Sequence, residues 1–122
     1  MKLLFAEDEA PIRRIVERVM RREAIEVVFA EDGEDAWEKF QSNPESFDII
    51  FTDVRMPNLD GLALVKRIRT HGHEVPCVLM TGHIDPVQWT YEPSVEIAAV
   101  LEKPFKLKRL LEITKQVLGE SP

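Results

Sequence analysis

Five short apolar runs punctuate this 122-residue chain, and four of them close on a residue that carries charge or a hydroxyl. Lys2-Leu-Leu-Phe-Ala6 leads into Glu7-Asp8, and Phe47-Asp-Ile-Ile-Phe-Thr52 leads into Asp53. Val75-Pro-Cys-Val-Leu-Met80 leads into Thr81, and Ile97-Ala-Ala-Val-Leu-Glu102 leads into Lys103; the fifth run is Val27-Val-Phe-Ala30. Segments of helical period lie between them. Ile12, Ile15, Val16, Val19 and Met20 mark the first helix, with Pro11 suited to its first turn. Ala36, Trp37 and Phe40 mark a short second helix that follows the Asp32-Gly33 turn and ends before Pro44. Leu62, Val65 and Ile68 mark a third, stopping near His71-Gly72. Leu107, Leu110, Leu111, Thr114, Val117 and Leu118 mark the last, with Gly119 past its end. Strand-like runs alternating with helices predict a parallel α/β sheet.

An open parallel sheet places its sites at the carboxyl ends of its strands. Glu7, Asp8, Asp53, Thr81 and Lys103 should therefore gather along one edge. Three carboxylates meeting there repel one another, which a bound cation or protons would relieve. A hard divalent metal, a hydroxyl and an ammonium together make a place for a phosphoryl group. Taken singly, Asp53 could be a turn cap at a strand end and Thr81 a β-branched strand terminus. Neither reading accounts for the company each keeps.

The length allows one domain, residues 1–122, with enough chain to bury a proper core. The net charge of -6 argues against general nucleic-acid affinity. No apolar stretch approaches membrane-spanning length, and the first run meets Glu7-Asp8-Glu9 too soon to be a signal peptide. The lone Cys77 sits in an apolar run, which predicts a buried, inert thiol in a reducing, cytoplasmic setting.

The chain resembles the response-regulator receiver domains of two-component signalling, including the chemotaxis receivers. The residues that carry the resemblance are Glu7-Asp8, Asp53-Val-Arg-Met-Pro-Asn-Leu-Asp-Gly61, Thr81-Gly82 and Lys103-Pro104-Phe105, in the family's order. The resemblance covers essentially the whole chain. It implies a flavodoxin-like five-stranded parallel sheet of order 2-1-3-4-5 with helices on both faces. It implies that Asp53 accepts a phosphoryl group from a sensor histidine kinase or a histidine phosphotransfer protein, and that the change is read by a downstream protein or a fused effector domain. Mg²⁺, with Mn²⁺ as a substitute, would be held by Asp8, Asp53 and the backbone carbonyl of Arg55, with Glu7 reaching it through water. Thr81 would bond a phosphoryl oxygen, assisted by the Gly82 N–H, and Lys103 would pair with Asp53 or its phosphate. The Lys103-Pro104 bond is expected to be cis, as the family has it. Arg55 and His83 stand where the family tunes the lifetime of the acyl phosphate. The basic side made by Arg13, Arg14, Arg18, Arg21 and Arg22 reads either as a solvated face or as part of the donor's docking surface. Glu9 reads as solvated charge at a helix start, and His71-Gly-His73 reads as a turn.

Two departures stand out. Val100 lies three positions before Lys103, where the family often carries an aromatic residue whose ring swings inward. Between Thr81 and Lys103, Asp85-Pro86 could start a helix that Pro93 stops after about two turns, shorter than the family's. With Trp89 and Tyr91 in it, the segment from Gly82 to Val95 is where the largest phosphorylation-linked change is expected. Two rival readings are weaker. A phosphohydrolase working through an aspartyl phosphate usually needs a second acid two positions after the nucleophile, where Arg55 stands, and an insertion absent here. In an FMN-binding flavodoxin, Glu7-Asp8-Glu9 would repel the cofactor's phosphate.

Overall fold

The structure is a computed structural model in which residues 1–82 and 96–119 are described. The strands are β1 (Lys2–Ala6), β2 (Glu26–Ala30), β3 (Ile49–Asp53), β4 (Cys77–Thr81) and β5 (Ala99–Glu102). The helices among the described residues are α1 (Ala10–Arg22), α2 (Gly33–Ser42), α3 (Gly61–Thr70) and α4 (Leu107–Val117). All strand pairs are parallel and the sheet order is β2-β1-β3-β4-β5, as the sequence predicts.

Alternation along the strands divides the core in two. Leu3, Phe5, Ile49, Phe51, Val78 and Met80 face α1 and α4, where Val16, Met20, Leu110 and Ile113 complete a cluster. Leu4, Ile50, Cys77 and Leu79 face α2 and α3, where Phe40, Leu64 and Ile68 close the other. Central strands buried on both faces read as continuous apolar runs, which is why β1, β3 and β4 were legible. The strands nonetheless begin later than the runs. Phe47 is buried but follows a single 3₁₀ turn at Pro44–Ser46. Pro76 has no N–H to give the ladder, although its carbonyl accepts from Ile50. Ile15 departs from the predicted apolar stripe, being 49% exposed. The proline–histidine features at positions 83–95, namely His83, Asp85-Pro86 and Pro93, together with Trp89 and Tyr91, lie outside the described residues.

Three local devices set the frame around the carboxyl edge. A Cβ on Gly61 would lie 2.2 Å from the Asp53 carbonyl oxygen, and one on Gly33 only 1.8 Å from that of Leu59. The β3–α3 loop is therefore pressed against both β3 and the start of α2. Asn58, at φ 70°, adds a bond from Nδ2 to Asp32 Oδ2 at 2.8 Å. At the outer side of β2, Lys39 donates from Nζ to the Phe29 carbonyl at 2.6 Å.

Two helices end in the same motif with different residues. Behind α3, Gly72 and His73 donate back to Arg69 and Ile68, with Gly72 at φ 85°. Behind α1, Ala24 and Ile25 donate back to Arg21 and Met20, with Ala24 at φ 57°. The left-handed position suits glycine and strains alanine. Ala24→Gly should therefore raise the unfolding free energy by about 1 kcal/mol, which is roughly 4 °C in Tm for a domain of this size. Thermal unfolding checks it, and an unchanged or lower Tm would contradict the strain.

Candidate phosphoacceptor site

Strand register converts the separated acids into neighbours. β1 and β3 pair Leu3 with Ile49 and Phe5 with Phe51, so the same frame carries Glu7 to the level of Asp53. Both side chains have the parity of the strand residues that face α1 and α4, and Lys103 shares that parity with Leu101 of β5. Asp53 is the last residue of β3, 8% exposed, and Glu7 is fully buried. Lys103 reaches across β4 and places Nζ 2.6 Å from Glu7 Oε1 and 2.7 Å from Asp53 Oδ2.

Asp8, the next residue along, is exposed and closes the group. Carboxylate oxygens of Glu7, Asp8 and Asp53 lie within 4.8 Å of one another. Thr81 ends β4 almost fully buried, and its carbonyl accepts from the Lys103 N–H at 2.7 Å. Gly82 is exposed, and among the described residues a Cβ added there would touch nothing within 4 Å. The Lys103-Pro104 bond is cis. Arg55 is exposed, and its N–H points at Asp53 Oδ1 from 3.4 Å. The structure thus brings Glu7, Asp8, Asp53, Thr81 and Lys103 to one edge with Arg55 beside them.

One ammonium cannot neutralise two carboxylates. Burial pushes Glu7 up to about 7; the hydrogen bond and charge of Lys103 oppose this, while the Asp53 charge and the neighbouring Asp8 carboxyl add to it. Burial works against the charge on Lys103 as well, but its bonds to Asp53 and Glu7 outweigh that and hold it above the ordinary lysine range. The second Glu7 oxygen, Oε2, is buried without a hydrogen-bond partner among the described residues. An orphaned carboxylate oxygen beside two further carboxylates is a donor set that fits a hard divalent cation.

The sequence treated Glu7 and Asp8 as a pair of similar acids, one direct and one acting through water. The fold separates them into a buried residue paired with lysine and an exposed one. The parity of Glu7 with Leu3 and Phe5 was the available signal. Sequence reasoning also merged Arg13 with the other arginines of α1. Its Nη1 donates to the Glu7 carbonyl at 2.7 Å instead of facing solvent. His71 and His73 do lie in a turn, with their rings 4.7 Å from Trp37 and 5.0 Å from Phe40, away from the acids. Val100 is half-buried in β5. Cys77 is buried, and burial pushes its thiol up to about 11. No helix among the described residues is long and apolar enough to cross a membrane.

Residues 3–115 match the family described as the response regulator receiver domain. The chain belongs to this family. It is 33% identical over 122 residues to chemotaxis protein CheY1 of Helicobacter pylori, covering 98% of both chains. It is 32% identical over 123 residues to the peroxide stress-activated histidine kinase mak3 of Schizosaccharomyces pombe, where it spans 5% of that protein. Among solved structures, chemotaxis protein CheY4 of Vibrio cholerae superposes with a TM-score of 0.86 at 30% identity, over 95% of this chain and 97% of that one. The receiver fold and the order 2-1-3-4-5 thus agree with the sequence reading.

The raised Glu7 pKa has a signed consequence. Without metal, the folded chain keeps a proton on Glu7 at pH values where the unfolded chain, at 4.5, has released it. Its contribution to stability is therefore present at low pH and is lost as pH rises through about 7. In chelator-treated protein, the stability of Glu7→Gln relative to wild type should rise between about pH 5 and pH 8. Urea unfolding at both ends of that range measures it; a constant difference would contradict the assignment.

Proposed function

We propose that this receiver takes a phosphoryl group onto Asp53 from the phosphohistidine of a sensor histidine kinase or phosphotransfer protein, with Mg²⁺ bound, in the cytoplasm. The observation that carries the reading is Lys103 Nζ held between Asp53 and Glu7, with Asp8 completing three carboxylates at the edge. Asp8, Asp53 and the Arg55 carbonyl would hold the metal, with Glu7 reaching it through water. Bound there, Mg²⁺ offsets the negative charge of the carboxylates and of the phosphoryl oxygens, and Mn²⁺ substitutes for it.

The chain's own residues account for the remaining chemistry. An Asp53 carboxylate oxygen attacks phosphorus, the P–O bond forms, the P–N bond of the phosphohistidine breaks, and its electron pair leaves with the imidazole. Lys103 already has its charge at the Asp53 carboxylate, so it follows the charge onto the phosphoryl oxygens without a large rearrangement. The Thr81 hydroxyl and the Gly82 N–H are the bond donors on the β4 side. Arg55, exposed over Asp53, bears on water's access and hence on the lifetime of the acyl phosphate. The protein is a signalling phosphoacceptor that assists its own phosphorylation and hydrolysis. The new charge biases a two-state equilibrium and alters a surface read by a downstream protein or a fused effector. Residues 1–122 are one such domain.

A groove of about 500 Å³ supports docking of a protein donor next to Lys103. Ile12, Ile15, Pro104, Phe105 and Leu107 make it predominantly apolar. Exposed Arg18 and Arg22 lie three and seven residues beyond Ile15, on the same side of α1. A helical partner with an acidic rim would bury Ile15 and meet those charges.

Acetyl phosphate with Mg²⁺ should place one acid-stable, base-labile phosphoryl group on the chain, detected by intact mass. Asp53→Asn should take none, and Asp8→Ala should lose both metal binding and labelling at ordinary Mg²⁺ concentrations. Equal labelling of Asp53→Asn would overturn the reading.

A further inference from the structure

Arg13 stands where a helix is least hospitable to a cation. It is the fourth residue of α1, at the end whose N–H groups carry partial positive charge. That first turn holds no acidic residue and no side-chain cap. Nor is it a solvated charge, since it is half-buried where Arg14 and Arg18 are exposed. The side chain turns back toward the carboxyl edge, and Nη1 donates to the Glu7 carbonyl oxygen at 2.7 Å. From the other direction, the Glu7 N–H donates to the Ala30 carbonyl of β2 at 3.0 Å. Glu7 is thus held by β2 through its nitrogen and by α1 through its oxygen. That oxygen belongs to the peptide unit that joins Glu7 to Asp8. Fixing its plane fixes the N–Cα bond of Asp8 and so narrows the positions its carboxylate can take.

We propose that Arg13 is a positioning residue for the acidic pocket, setting the geometry of Glu7 and Asp8 through the backbone between them. The proposal rests on the reading of that pocket as a cation site, and Arg13 touches neither the cation nor the phosphoryl group. Two effects of opposite sign separate it from a simple electrostatic role. A guanidinium near the pocket repels a cation, so a residue acting through charge alone would weaken binding by its presence. A residue that orders the donor loop strengthens binding despite its charge.

The test is a titration of the full chain with Mg²⁺ alone, followed by the amide resonances of Glu7 and Asp8, for wild type, Arg13→Met and Arg13→Lys. Methionine keeps helix propensity and length while removing charge and donors; lysine restores both a charge and a donor. Urea unfolding establishes that each variant is folded. Arg13→Met should raise the Mg²⁺ Kd about 3- to 10-fold, the ratio that a typical hydrogen bond's net worth implies. Amide exchange at Asp8 should quicken in the same variant before any metal is added, and Arg13→Lys should recover most of both losses. Equal or tighter binding by Arg13→Met would overturn the proposal, as would a loss that Arg13→Lys does not recover. Absence of Mg²⁺ binding by wild type would instead overturn the reading of the pocket itself.

Discussion

Lys103 holds its ammonium between Glu7 and Asp53, and most of what the carboxyl edge can do depends on that shared contact. Two carboxylates facing each other in a nearly dry site repel, and a single positive charge between them is enough for only one. The imbalance raises Glu7 toward neutrality and leaves one of its oxygens unpartnered among the described residues. A site in this condition gains from taking up further positive charge. The same lysine spans the sheet from the end of β5 to the end of β3. A change in charge on Asp53 is thereby transmitted to the β5–α4 connection without any intervening contact.

The backbone around this edge is fixed more tightly than its irregular course implies. Gly61 and Gly33 admit approaches that any side chain would prevent, so the loop leaving Asp53 rests against β3 on one side and α2 on the other. Asn58 adopts a left-handed conformation there and bonds to Asp32, which in turn accepts from the Asp35 N–H at the start of α2. Asp53 therefore sits on a firmly held base. A fixed base suits a group whose direction of approach matters.

Much of this was legible from the chain. Apolar runs buried on both faces announced the central strands, and their polar ends announced the edge residues, because burial in parallel sheets erases the alternation that would otherwise confuse the reading. Strand starts were less legible, since Phe47 and Val75 are hidden by packing before the ladder begins. Burial, not residue type, separated Glu7 from Asp8, and only strand parity encodes that. Ile15 reads as core from its spacing, yet α1 is apolar over a wider arc than the sheet covers. The bond from Arg13 to a backbone carbonyl has no residue-type signature, although an arginine in the first turn of a helix departs from what the macrodipole favours.

Lys39 draws attention to the other end of the sheet. β2 lies at its margin, and the carbonyl of Phe29, which points away from β1, is already engaged by the Lys39 ammonium. A further strand arriving at that margin would have to detach the lysine and enclose its charge against a hydrogen-bonded ladder. Such a step is strongly disfavoured, and natural sheets use it to stop lateral growth. Side-by-side fusion of two molecules through β2 is accordingly discouraged, and a neighbour meeting that margin would meet side chains before backbone.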